Sequence, residues 1–184
     1  PWLIKPLWSP FVDLLKTKRW WIVAMQLLMG AGMAGIAFTL PMQHYLQWTL
    51  AIFWLLAFSS ATHDVAADGF YMMALDEGDQ SFFVGIRSTF YRLATLAGQG
   101  GMLIIVDWFI RHNGNDAQQA WIHSFFLIAA LFIAVGIYHA CRLPRPHTDV
   151  PRQFAARDLL REFAHTFVTF FQKEHVWMAL AFML

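Results

Sequence analysis

Asp64, Asp68 and Arg92 stand inside otherwise apolar stretches, where ionisable groups are expensive. An Asp or Arg at mid-span costs ~2.5–3.5 kcal/mol to place in a membrane, so these residues oppose insertion unless they meet partners or water. Helical spacing puts Asp64 one turn deeper than Asp68 on the same face. Ser59, Ser60 and His63 belong to the same polar cluster. On the next apolar stretch Ser88, Arg92, Thr95 and Gln99 recur at three- and four-residue spacing as a facing polar stripe. Counted inward from edges near Leu75 and Phe83, Asp68 and Arg92 lie within about one helical turn of the same depth. A cross-helix Asp68–Arg92 ion pair is therefore expected, with Asp64 the less compensated acid. Such a constellation serves either as a solute or proton path between two helices, or as a static bridge that fixes their packing. His63 and Asp68 also spell H-x4-D, a spacing that resembles an acyl-transfer signature in which His is the general base. Five residues apart on a helix they point to different faces, so the spacing does not assemble that chemistry.

The elements that must hold these residues follow from composition. The 184 residues are 58% hydrophobic and 14% charged, against about 25% charged in a water-soluble domain. That leaves too little polar surface for a soluble ball of this size, and makes the lipid bilayer the expected partner. Nine Trp and eighteen Phe agree with it, because aromatic rings gather at membrane interfaces. The lone Cys141 excludes a disulfide framework and a cysteine metal site. No metal site, cofactor motif or nucleic-acid-binding pattern is read in the chain, and no catalytic cluster at a membrane surface marks it as an enzyme.

A hydrocarbon core of ~30 Å takes about 20 helical residues. Windows at roughly 20–40, 48–75, 82–109 and 121–141 qualify, and all are too long for barrel strands. Gly30, Gly32 and Gly35 have the spacing of small residues that let membrane helices approach closely. Gly98, Gly100 and Gly101 read as close-packing or bending positions. Lys5, Lys16, Lys18 and Arg19 precede the first window, and Arg142, Arg145, Arg152, Arg157, Arg161 and Lys173 follow the fourth, while the turns PMQHYLQ and RHNGNDAQQA hold one Arg between them. Lys and Arg concentrate on the cytoplasmic side of membrane proteins. Both ends of the chain are thus expected there, with four spans between.

After the loop CRLPRPHTDVP, apolar residues from Phe154 to Phe171 recur at helical spacing, an amphipathic helix that lies on the membrane or acts as a solvated linker. The chain opens at Pro1 and stops at Leu184 inside a new apolar run, VWMALAFML. We read it as a piece of a longer protein, whose remaining spans are then its partners.

SSATHDVAADGF in one span, followed by an acidic turn and VGIRSTFYRLATLAGQGG, resembles the fourth and fifth spans of AmpG-like muropeptide permeases in the major facilitator superfamily. KPLWSPFVDLLKTKRWW resembles the cytoplasmic loop of that family between spans two and three. The likeness covers residues 1–110 by motif and the remainder by layout. It implies an all-α, polytopic, major-facilitator-like bundle, here incomplete. Residues 1–141 would run from the end of span two through span six, 142–175 would form the cytoplasmic connection with its amphipathic helix, and 176–184 would begin span seven.

The implied function is proton-driven import of anhydro-muropeptide, or a related sugar-peptide solute, across a bacterial inner membrane by alternating access. On that pattern Asp64, Asp68, Arg92, Gln99, His63, Tyr91 and Ser88 belong to a substrate and proton pathway. Asp13, Lys18, Arg19 and Arg87 belong to the cytoplasmic gate. Tyr71 stands where relatives usually carry a basic residue, a departure that bears on the solute, and acetyl-CoA or a sugar are other solutes of similar proteins. A sensor or assembly subunit that keeps the transporter fold, and a membrane-embedded acyltransferase, are the readings from other classes.

Overall fold

A computed structural model describes residues 15–114 and 116–150, with Lys5, Trp8, Ser9 and Val12 before them and Arg161, Ala164, His165, Val168, Thr169 and Gln172 after them. Within these residues the chain forms helices α1 (Lys18–Thr39), α2 (Tyr45–Ala74) and α3 (Glu77–Leu96), a π-helical turn (Ala97–Gly101), then α4 (Met102–Asn113) and α5 (Ala117–Arg142). No strand occurs among the described residues. Counting Gly78–His112 as one run across the π turn, four described helical runs are long and apolar enough to cross a membrane. They match the four windows expected from the sequence. Asp13, most of the expected amphipathic helix and the segment 176–184 lie outside the described residues. The described positions from Arg161 to Gln172 are helical, and the Thr169 hydroxyl donates to the His165 carbonyl at 2.8 Å.

Local chemistry sets the boundaries. Thr17 caps α1, its hydroxyl accepting from the Trp20 amide at 3.1 Å, which satisfies one of the donors that a helix N-terminus leaves without intrahelical partners. Asp76 and Asp79 place carboxylates at the start of α3, where the helix dipole favours negative charge. Gly114 ends α4 in the left-handed conformation, φ 62°, which only a residue without Cβ adopts freely. Asp116 then caps α5 by accepting from the Gln119 amide at 2.7 Å.

Helix α1 is the centre of the bundle, packed along α5 on one side and α2 on the other, while α4 packs on α5. Its glycines make both seams close, as their spacing suggests. A Cβ added at Gly30 would lie 2.7 Å from Ile133 Cγ1 and 3.2 Å from the Ala129 carbonyl oxygen, and one at Gly32 would lie 2.6 Å from Leu56 Cδ2. Met29, Ile36 and Leu56 form the buried core there, with Ile52, Phe125 and Phe132 against it. A second core at the basic end joins Val12, Ile22, Ala66 and Phe70.

Helix α3 differs from the rest. From Phe82 to Gly100 every residue is exposed, and the helix is not packed along α1, α2 or α5. Its base is tied to α2 instead, with the Tyr71 hydroxyl donating to the Gln80 backbone carbonyl and the Gln80 side-chain Nε2 donating to the Leu75 carbonyl at 2.8 Å. Gly98, Gly100 and Gly101 occupy the π-helical turn, as their reading as bending positions expects, and an added Cβ at each meets nothing within 4 Å among the described residues. Such turns redirect a helix by inserting one residue into its hydrogen-bond ladder.

Candidate functional site

The charged groups of α2 and α3 meet, but through a different Arg. Arg87, rather than Arg92, reaches across to α2, pairing with Asp68 and lying 3.4 Å from Asp64 Oδ1 through the same Nη2 atom. Helix register explains the correction. Taking α3 to start at Phe83 put Arg92 level with Asp68, but α3 starts at Glu77. Measured from the helix ends at the shared turn, Asp68 lies ~9 Å up α2, Arg87 ~15 Å up α3 and Arg92 ~22 Å. An arginine side chain bridges the first difference and not the second. Arg92 is exposed on α3, as are Ser88, Tyr91 and Gln99, and none of these side chains meets the Asp cluster among the described residues. The ion pair from α3 to α2 therefore comes from Arg87, expected at the cytoplasmic gate, and not from the polar stripe.

Asp64 has a second cation. Lys5 Nζ pairs with its Oδ2, fifty-nine residues away in sequence. Two acids one turn apart on α2 are thus held between a Lys from the segment before α1 and an Arg from α3. Their side chains are partly exposed, 30% for Asp64 and 43% for Asp68, while Arg87 is 51% exposed. Asp68 Oδ1 is nonetheless a buried atom that meets Arg87 as an ion pair without hydrogen-bond geometry. An ion pair of this kind, joining α2 and α3 above their hydrogen-bonded base, can open when one partner loses its charge.

His63 faces a different neighbourhood. Its Nε2 is buried and has no hydrogen-bond partner among the described residues. The contact of Lys18 with Gly69 and that of Leu56 with Gly32 set a register that places His63 level with Ala24 and Met25 on α1, beside Gln26. Gln26, only 8% exposed, is hydrogen-bonded to His139 Nδ1 of α5 at 2.7 Å. Sequence reasoning missed Gln26 and His139; an isolated Gln and a His near a helix end carried no signal of proximity. His139→Ala leaves the Gln26 amide unsatisfied in an apolar seam, a cost of ~1–3 kcal/mol. The expected result is a melting temperature several degrees lower for the full-length protein in detergent.

The remaining gate candidates sit together at the basic end of the bundle. The Lys18 stem crosses Gly69 of α2, with Cε 2.8 Å from where a Cβ would be. The Arg19 guanidinium donates to the Leu143 carbonyl at 3.1 Å through Nε and to the Ala140 carbonyl through Nη2. Cations at a helix C-terminus are favoured by its dipole and by its unpaired carbonyls. Lys18 and Arg19 thus tie α1 to α2 and α5, respectively.

Comparison with known proteins gives a consistent result. A model of the Major Facilitator Superfamily matches the chain over residues 1–184. The anhydromuropeptide permeases of Escherichia coli strain K12 and of Escherichia coli O157:H7 are each 26% identical over 184 residues, covering 97% of this chain and 35% of the permease. The chain spans about a third of the length of these curated relatives. No solved structure matches it.

Proposed function

The chain belongs to the Major Facilitator Superfamily, and from that premise we propose that it is part of a secondary transporter of the bacterial inner membrane, a carrier rather than an enzyme. Its activity is proton-coupled import of anhydro-muropeptide or a closely related sugar-peptide solute. Residues 1–141 supply spans of the first half, with both ends of the chain in the cytoplasm and a cytoplasmic connection after α5. The remaining spans of the same protein cover the exposed length of α3.

The observation that carries this reading is the placement of Asp64 and Asp68 between Lys5 and Arg87. Intramembrane carboxylates neutralised by cations from other segments have the chemistry a proton-coupled carrier requires. Protonation of Asp68 and Asp64 removes their attraction for Arg87 and loosens α3 from α2 above the hydrogen-bonded base. Return of the proton to the cytoplasm restores the pair. Coupling arises when solute and proton both favour the state in which that bridge is open, because a ligand shifts an equilibrium only by its differential affinity for the two states. Tyr91 and Gln99, on the exposed face of α3, are available to solute rather than to the acids.

Uptake of labelled anhydro-muropeptide by vesicles bearing the full-length protein tests the assignment. Uptake is expected to require an inward proton gradient and to vanish in the double variant Asp64→Asn, Asp68→Asn. Signal equal to that of empty vesicles would sink the solute assignment. Gradient-driven uptake that survives in the double variant would remove the acids from the mechanism.

A further inference from the structure

The segment after α5 folds back onto the start of α1. Pro146 and Asp149 close a turn, the Asp149 amide donating to the Pro146 carbonyl at 3.1 Å. The Asp149 carboxylate then accepts from the Lys18 amide at 2.7 Å and the Arg19 amide at 3.0 Å, one oxygen to each. These are the first two amides of α1, and Thr17 takes the third, that of Trp20. The helix start is therefore capped in part by a residue 131 positions away. In return Arg19 donates to the carbonyls of Ala140 and Leu143 at the end of α5. A carboxylate closes the N-terminus of one helix, and a guanidinium from that helix closes the C-terminus of the other. Both contacts have the sign that the helix dipoles favour.

We infer that Leu143–Asp149 is a latch: it fastens the beginning of the connection after α5 to the mouth of α1, so that the ends of α1 and α5 move as one body. A pull along the connection then reaches both helices together instead of unwinding the last turn of α5. Arg19 and Asp149 act as positioning residues, since each works through helix ends and neither needs to touch solute. The latch is independent of what the protein carries.

Hydrogen exchange and limited trypsin cleavage on the full-length protein in lipid nanodiscs test it. In Asp149→Ala the Lys18 and Arg19 amides are expected to exchange about tenfold faster, the ratio for a lost cap of ~1.4 kcal/mol. The Trp20 amide, capped from within its own helix, stays protected and distinguishes unlatching from unfolding. Cleavage after Arg142, which is exposed at the end of α5, accelerates by a similar factor in Asp149→Ala and also in Arg19→Ala. Asp149→Asn retains most of the protection, because an amide oxygen still caps. Unchanged exchange at Lys18 and Arg19 in Asp149→Ala overturns the inference. Faster exchange without faster cleavage after Arg142 also overturns it, since Asp149 would then be a local cap that fastens nothing.

Discussion

Arg87→Ala in the full-length protein is expected to reduce gradient-driven uptake by tenfold or more, while Arg92→Ala reduces it by less than about twofold. Arg87 bridges Asp64 and Asp68, whereas Arg92 lies exposed on α3 without contact to either. Without Arg87, Asp68 has no cation among the described residues and Asp64 keeps Lys5. An uncompensated carboxylate at mid-span costs ~2.5–3.5 kcal/mol, and less towards the membrane edge. Because Arg87 and Asp68 are partly exposed, a cost below that range applies, about 1–2 kcal/mol, which is close to a factor of ten in the population of the bridged state.

A second arm separates coupling from folding. Adding Asp68→Ala to Arg87→Ala removes the stranded carboxylate while Asp64 keeps Lys5, so membrane insertion and thermal stability return towards those of the parent. Uptake driven by the proton gradient does not return, because the ion-pair bridge between α2 and α3 is gone. The opposite ranking, with Arg92→Ala inactive and Arg87→Ala unaffected, would assign the coupling to α3's exposed face and not to its bridge.

What could be read in the sequence was set by distance along the chain. The membrane helices were legible because each is a long apolar run, a property of neighbouring residues. Gly30, Gly32 and Gly35 were legible as close-approach positions from their spacing within one helix, but which neighbour each meets was not: Gly30 faces α5, and Gly32 and Gly35 face α2. That the acids on α2 need a cation, with an Arg of α3 the candidate, also followed from cost alone. Which Arg it is did not, because the answer turns on whether α3 begins at Glu77 or Phe83, and helix boundaries are the weakest part of any periodicity argument. The wholly long-range contacts left no trace. Lys5 with Asp64, Gln26 with His139 and Asp149 with the start of α1 join ordinary residues, and the fold alone makes them neighbours.

Gly30→Leu should do the greatest damage to the bundle, and the geometry ranks the glycines that can be compared with it. At Gly30 an added Cβ meets Ile133 Cγ1 at 2.7 Å and also backbone, the Ala129 carbonyl oxygen at 3.2 Å and the Ile133 nitrogen at 3.3 Å. Backbone cannot turn aside as a side-chain tip does, so α1 and α5 must separate. At Gly136 the obstacle is the tip of Leu27 at 2.9 Å, and at Gly35 it is Ile52 Cδ1 at 3.4 Å, an ordinary contact. Overpacking costs ~1–3 kcal/mol, against up to ~1 kcal/mol gained by replacing a helical glycine with alanine. Gly35→Ala is therefore expected to be neutral or stabilising, Gly136→Ala close to neutral, and Gly30→Ala destabilising, with Gly30→Leu well beyond it. Melting of the full-length protein in detergent reads the order. The seam also carries Gln26 with His139, and Arg19 with the end of α5, so separating α1 from α5 at Gly30 strains polar contacts towards the basic end. Gly30→Leu should accordingly accelerate exchange at the amides of the last turn of α5 as well as lower the melting temperature. A Gly30→Leu protein that melts with the parent would mean that α1 and α5 do not meet along this seam.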